Sequence, residues 1–183
     1  MQQLSGRVAV VTGAASGIGR AMAERWARED MRVVLADIEE TALAAAEKEL
    51  RDGGAEVTSV VTDVSSASSV QALADAAVEK YGAVNLLCNN AGVGGGGLAH
   101  MLTEKDWAWV LGVNLWGVIH GQAAFLPILM EQDEAHVVNT ASVAGLVSSP
   151  FMSPYVASKF AVVGLSECLQ KEMAMQGGKV GVS

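Results

Sequence analysis

The chain has 183 residues, with 12 Lys+Arg against 20 Asp+Glu for a net charge of −8, and 51% hydrophobic against 17% charged residues. That balance, with 20 Gly and 3 Pro, excludes a disordered or mucin-like chain and supplies enough apolar sequence for one core, so residues 1–183 read as a single domain. Acidity without a basic cluster argues against nucleic acid or an anionic membrane as partner.

Met1–Gly6 lacks the basic-then-apolar build of a signal peptide. Cys88 and Cys168 stand far apart with no C-x-x-C, the pattern of reduced core thiols in a cytoplasmic protein. The β-branched run Arg7–Val11 predicts a first strand, followed by a Gly-rich turn and a helix in which Ile18, Met22 and Trp26 recur at helical spacing. Met31–Ala36 is the second run, and a helix with Leu43, Ala46 and Leu50 follows, stopped by Gly53-Gly54. Val57–Val61 is the third run. Val70, Leu73, Ala74, Ala77, Val78 and Tyr81 then form a helical stripe ending at Gly82.

Val84–Cys88 makes the fourth run and His136–Thr140 the fifth. Between them Trp107–Met130 carries no charge, and Gly117 and Gly121 stand four apart as in a membrane helix with a packing notch. Asn114, His120, Gln122 and Pro127 interrupt it and Glu131, Asp133 and Glu134 flank it, so a helix buried in the core or against a second subunit is the better reading. Ser153 and Pro154 suit an N-cap and first helical residue, and their helix runs to about Gln176 before Gly177-Gly178. Continuously apolar strands alternating with amphipathic helices predict an α/β fold: a doubly wound parallel sheet, Rossmann-like, in three α/β/α layers. In such sheets ligands bind beyond the carboxyl ends of the strands. The polar residues fall there.

Thr12-Gly13-Ala14-Ala15-Ser16-Gly17-Ile18-Gly19 follows the first strand and enters a helix. Its glycines allow a sharp turn and close approach of a pyrophosphate, and the free N–H groups of the helix start attract the anion. Gly13, Ser16, Gly17, Ile18 and Gly19 are therefore candidate cofactor contacts, although a Gly run alone also suits an ordinary tight turn. No Gly-Lys-Ser/Thr follows, which argues against a Walker-type hydrolase. Asp37, 18 positions after Gly19, suits an acceptor for both ribose hydroxyls that would repel a 2′-phosphate; a helix N-cap is the alternative. Asp63-Val64 and Asn89-Asn90-Ala91-Gly92 close the third and fourth strands, where turn chemistry alone would also favour these residue types.

Tyr155 and Lys159 stand i,i+4 on one helical face, and Ser142 follows the fifth strand. A phenol is a poor base at neutral pH; bringing it there needs roughly 4 kcal/mol, which a neighbouring ammonium and a cationic nicotinamide would supply. In combination, Thr12–Gly19, Asp63, Asn89-Asn90-Ala91-Gly92, Asn114, Ser142 and Tyr155-Val156-Ala157-Ser158-Lys159 resemble the short-chain dehydrogenases/reductases, from about Gly6 onward.

The resemblance implies Tyr155 as general acid/base, Ser142 positioning the substrate oxygen, and Lys159 tuning Tyr155 and holding the nicotinamide ribose. It further implies Asn114 anchoring a water that links Lys159 to solvent. By the same resemblance Asp63 and Val64 lie near adenine and Asn90, Ala91 and Gly92 run along the cofactor. An acidic residue at Asp37 is similar to the NAD-preferring members. Members of the family normally continue with the rest of a sixth strand, a Pro-Gly turn, a substrate-covering segment and a seventh strand. Lys179–Ser183 begins the sixth, so the chain reads as lacking that C-terminal part.

The function expected is an NAD(P)-dependent oxidoreductase, NAD preferred, interconverting a secondary alcohol and a ketone. The alternative is a catalytically silent dinucleotide-binding or interaction module; an extended reductase acting on nucleotide sugars is disfavoured by the Gly spacing. The apolar stretch Val143–Pro154 predicts a largely hydrophobic substrate. His100, His120 and His136 lack metal-site spacing, and Thr140–Ala144 is not G-x-S-x-G, so no metal and no nucleophilic serine is expected. Gly94–Gly97 reads either as a mobile lip of the cleft or as a plain flexible loop. Trp107, Trp109 and Trp116 read as packing or interface residues. The uncharged helix and the helix bearing Tyr155 predict a homodimer or homotetramer.

Overall fold

The computed structural model of the chain describes residues 1 and 3–183. Six strands, β1 (Val8–Thr12), β2 (Arg32–Asp37), β3 (Val57–Val61), β4 (Leu86–Asn89), β5 (Ala135–Asn139) and β6 (Val180–Val182), form one sheet in the order β3-β2-β1-β4-β5-β6. Every pairing is parallel. The helices are α1 (Gly17–Arg28), α2 (Glu40–Asp52), α3 (Ala67–Tyr81), α4 (Glu104–Leu111), α5 (Gly117–Met130) and α6 (Ser153–Met175). A strand buried on both faces has no reason to alternate in polarity, and all five residues of β1 are buried. Its Val8 and Val10 face α3 and α5, and its Ala9 and Val11 face α1 and α2. The three-layer doubly wound architecture is the expected one.

Each strand lies within two residues of its apolar run. Helix details differ more. In α1 the buried residues are Gly19 and Ala23, while Ile18 is 63% exposed; small residues let the helix lie close to the sheet, and Ile18 is left over the strand ends. In α3 the stripe is buried at Val70, Leu73, Ala74 and Ala77, but Val78 is exposed. Helix α6 begins at Ser153 with Met152 as N-cap, so Ser153 is helical rather than capping and Pro154 sits in the first turn. Cys88 is buried, but Cys168 is exposed on α6, contrary to the expectation of two core thiols.

The uncharged segment belongs to one helical rod, Glu104–Met130, which among the described residues is the helix long and apolar enough to cross a membrane. Its inner side is core: Phe125 and Leu129 are fully buried. The two glycines serve the sheet edge. A Cβ on Gly117 would come 2.9 Å from Val64 Cγ2, and one on Gly121 would come 2.1 Å from Asn89 Oδ1. Between α4 and α5 a π-helical turn, Gly112–Trp116, interrupts the rod at Asn114. Such bulges widen one turn and redirect a side chain, and they are frequent at functional sites.

Candidate active site

The strand order reverses between β1 and β4, which opens a crevice at their carboxyl ends. The Gly-rich turn enters it. Gly13 has φ +67° and Gly17 φ +55°, the left-handed region that favours glycine. At Gly19 the constraint is space: a Cβ would lie 2.1 Å from the Gly13 carbonyl oxygen and 2.5 Å from Asn90 Nδ2. Ser16 precedes α1 with extended backbone and no side-chain cap, and Ser16, Gly17 and Ile18 are exposed. The first amides of α1 have no intrahelical acceptor and face outward with the positive end of the helix dipole.

Asp37 closes β2 beside this turn. Its Oδ2 accepts from the Ala15 amide at 2.9 Å and its Oδ1 from the Glu39 amide at 3.1 Å. Asp37 thus organises the start of the α2 turn, although Glu39 is the N-cap, and its remaining lone pairs stand next to the Gly-rich turn. A turn that only glycine permits, outward-facing helix-start amides and an adjacent carboxylate fit a dinucleotide.

A hydrogen-bonded chain ties this cradle to the lysine. Thr12 Oγ1 accepts from the Asn90 and Ala91 amides at 2.9 and 3.1 Å. Asn90 Nδ2 donates to the Thr12 carbonyl at 3.0 Å, and Thr140 Oγ1 donates to Asn90 Oδ1 at 3.1 Å. Lys159 Nζ donates to the Thr140 carbonyl at 2.7 Å. The Asn90 side chain is therefore committed to the protein, clamping the ends of β1, β4 and β5. Gly92 reaches the lysine: a Cβ there would be 3.9 Å from Lys159 Nζ. Val64 turns its side chain into the core, and Asp63 Oδ1 accepts from the Ser65 amide and hydroxyl at 2.9 and 2.7 Å, a local turn.

Tyr155 and Lys159 lie in the first two turns of α6, with the ammonium 5.7 Å from the phenol ring centroid. Lys159 is only 4% exposed, and burial pulls its ammonium below the usual lysine range. Ser158, fully buried beside it, donates to the Tyr155 carbonyl at 2.6 Å and accepts from Asn114 Nδ2 at 3.3 Å. Asn114 also exchanges both amide bonds with Val93, 2.8 and 2.9 Å. Ser142 accepts from the Ala144 amide at 3.1 Å and starts the 3-10 turn Val143–Gly145, which packs on the Lys159 backbone. Among the described residues nothing accepts from the Ser142 hydroxyl and nothing hydrogen-bonds the Tyr155 hydroxyl, so both are available to a substrate oxygen.

The structure thus brings Asn114, Ser142, Tyr155, Lys159 and the turn around Gly92 to one end of the sheet, with Gly13–Gly19 and Asp37 beside them. Thr12, Thr140 and Ser158 complete the arrangement without having been singled out. Their signal was faint: each is a lone hydroxyl at a strand end or inside a helix, which is unremarkable until its partners are known. Beneath them Asn89 Nδ2 donates to Asn139 Oδ1 and Asn139 Nδ2 to Ser166 Oγ, both at 2.9 Å, a buried polar link from β4 through β5 to α6. His120 Nδ1 lies against the Val64 carbonyl and His136 Nε2 against Ser183 Oγ, while His100 is exposed. Among the described residues no cluster has the makings of a metal site.

A six-stranded parallel sheet with a glycine cradle at its switch point and a Tyr-Lys pair at the same edge defines a Rossmann-type protein with an oxidoreductase-like site. The short chain dehydrogenase family model matches residues 7–183, and the chain belongs to that family. It is 39% identical over 168 residues to a dehydrogenase/reductase of CLA biosynthesis from Lactiplantibacillus plantarum, covering 91% of this chain and 59% of that protein. It is 34% identical over 172 residues to the 3-oxoacyl-acyl-carrier-protein reductase FabG of Thermotoga maritima, covering 94% of this chain and 70% of that protein. A crystal structure of a short chain dehydrogenase/reductase from Burkholderia phymatum in complex with NAD superposes with a TM-score of 0.98 at 55% identity, covering 100% of this chain and 66% of that one. The chain therefore spans 59% of the first of these relatives and 66% of the Burkholderia protein.

Proposed function

We propose that the protein is an NAD-dependent oxidoreductase that interconverts a secondary alcohol and a ketone, with Tyr155 as general acid/base. The observation that carries this reading is the buried Lys159 ammonium, fixed by the Thr140 carbonyl at 2.7 Å and 5.7 Å from the Tyr155 ring, at the mouth of the glycine cradle. A cation held there attracts the negative charge that develops on a neighbouring oxygen during proton transfer. The dinucleotide, bound along Gly13–Gly19 and Asp37 with Ala91 and Gly92 beside it, would supply the hydride acceptor or donor. Ser142 donates its hydroxyl proton in a hydrogen bond to the substrate oxygen, and Tyr155 removes the alcohol proton or returns it to the carbonyl oxygen. Lys159 keeps its proton and acts by charge and by holding the ribose. Asn114, locked to Val93 and Ser158, positions a water that connects Lys159 to solvent.

Asp37 supports NAD over NADP, because its carboxylate would repel a 2′-phosphate. The NAD complex of the Burkholderia relative agrees. Exposed Val143, Leu146 and Val147 after Ser142 support an apolar substrate, as does the reductase activity named for the Thermotoga relative on an acyl chain. The exposed Trp109, Trp116 and Phe160 on the rod and on α6 support a homodimer or homotetramer. Free Cys88 and Cys168 suit a reducing cytoplasm.

The test is Tyr155→Phe. Turnover should fall at least roughly a hundredfold, while NADH affinity stays within about twofold because the phenol is remote from the adenosine end. A variant that retains most of the parent turnover removes Tyr155 from the chemistry. A parent chain that binds NADH yet oxidises no alcohol in a broad panel would favour the silent binding module instead.

A further inference from the structure

Two non-glycine residues among those described have left-handed backbone, Asp30 at φ +58° and Phe151 at φ +66°. Asp tolerates that region in a tight turn; a bulky aromatic residue does not, and gains nothing here from burial, since Phe151 is 59% exposed. The conformation is imposed from outside. The Gly97 amide donates to the Phe151 carbonyl at 2.7 Å. Gly96 lies so close that a Cβ would meet the same oxygen at 1.9 Å and Met152 Cα at 3.1 Å. Gly95 is seated on the rod, where its Cβ would be 2.5 Å from Val110 Cγ2. Within the four-glycine run, Gly94 stands in open space while Gly95 packs on the rod and Gly96 and Gly97 clasp the Phe151 backbone.

We infer that Phe151 is a specificity-determining residue of this active site, presented by the Gly95–Gly97 clasp to pack against a bulky apolar group on the substrate's carbinol or carbonyl carbon. This rests on the dehydrogenase reading. Phe151 stands four residues before Tyr155 and directly before the α6 N-cap, and side chains in the first turns of a helix lean toward its N-terminus, the end at which Phe151 is held. The clasp arises from the turn that reaches Lys159 at Gly92. Exposed Leu146 and Val147 belong to the same connection between Ser142 and Tyr155. A strained backbone that keeps an aromatic ring exposed at the start of the helix carrying Tyr155 and Lys159 points to strain kept for function.

The test uses the full chain with NAD⁺ and three probes, 2-butanol, 2-octanol and 1-phenylethanol. In Phe151→Ala the KM for 2-octanol and 1-phenylethanol should rise roughly tenfold more than that for 2-butanol, the effect falling on KM rather than on kcat. Phe151→Gly should lose the same discrimination yet melt no lower than the parent, because glycine relieves the left-handed backbone. Turnover with unchanged discrimination, or a lower melting temperature for Phe151→Gly, would overturn this inference alone. No turnover by the parent on any probe, with NAD⁺ or NADP⁺, would overturn the dehydrogenase reading and this inference together.

Discussion

Replacing Gly19 by alanine probes the cradle where the structure is least forgiving. The new Cβ would sit 2.1 Å from the Gly13 carbonyl oxygen, 2.5 Å from Asn90 Nδ2 and 2.7 Å from the Gly13 carbonyl carbon. A carbon–oxygen contact relaxes only at about 3.3 Å, so the start of α1 and the turn must separate by about 1 Å. Overpacking of this kind costs roughly 1–3 kcal/mol, and the better helix propensity of alanine returns at most about 1 kcal/mol. A net loss of about 1–2 kcal/mol lowers the melting temperature by about 2–8 °C in a chain of this size. The same displacement moves the helix-start amides off the pyrophosphate. Hydrogen bonds to a charged group contribute about 1.5–3 kcal/mol each, so losing one raises the NADH Kd by about tenfold or more. Calorimetric titration at 25 °C, where the variant is still folded, separates the two effects. Parent-like affinity together with a parent-like melting curve would refute the close approach on which the cradle rests.

Other consequences concern charge and thiol chemistry. Asp37→Ala should weaken NADH binding twice over, by loss of the ribose acceptor and by leaving the Ala15 amide unpaired; adding Ile38→Arg should shift the kcat/KM ratio toward NADP, and an unchanged ratio would take Asp37 out of the ribose site. The Arg7 guanidinium, paired with Asp133 through two bonds, holds that carboxyl at about 2. Because the folded value lies below the unfolded one, the pair stabilises fully above pH about 4 and its contribution fades as pH falls toward 2. Melting curves of parent and Asp133→Asn should therefore converge over that range, and a constant gap would contradict the pairing. Burial pushes the Cys88 thiol up to about 12, so a thiol-exchange titration of native protein should count one fast thiol per chain, Cys168; two would show that Cys88 is accessible.

The strand runs were readable because a fully buried parallel strand carries its signal in a continuous block, and β3 coincides with Val57–Val61. Helix burial was less readable. The spacing of Ile18, Met22 and Trp26 is helical, yet Gly19 and Ala23 make the close contact, because what decides burial is how near the backbone can come, not which side chain is largest. The glycine pair in the uncharged segment of the rod looked like a membrane notch for the same reason: small residues mark close approach, but spacing does not say what approaches. Here it is Val64 and the Asn89 amide.

The sequence alone determined the layer order, the sheet type and the chemical identities at the strand ends, since these follow from local hydrophobic pattern and residue type. Only the tertiary structure decided which of those ends meet: that Asn90 is spent as a clamp, that the Thr140 carbonyl holds the Lys159 ammonium, and that Gly96 and Gly97 grip Phe151 in a conformation it would not choose. These are contacts between residues tens of positions apart, fixed by strand register and by the space a missing Cβ leaves, neither of which is written in any one segment.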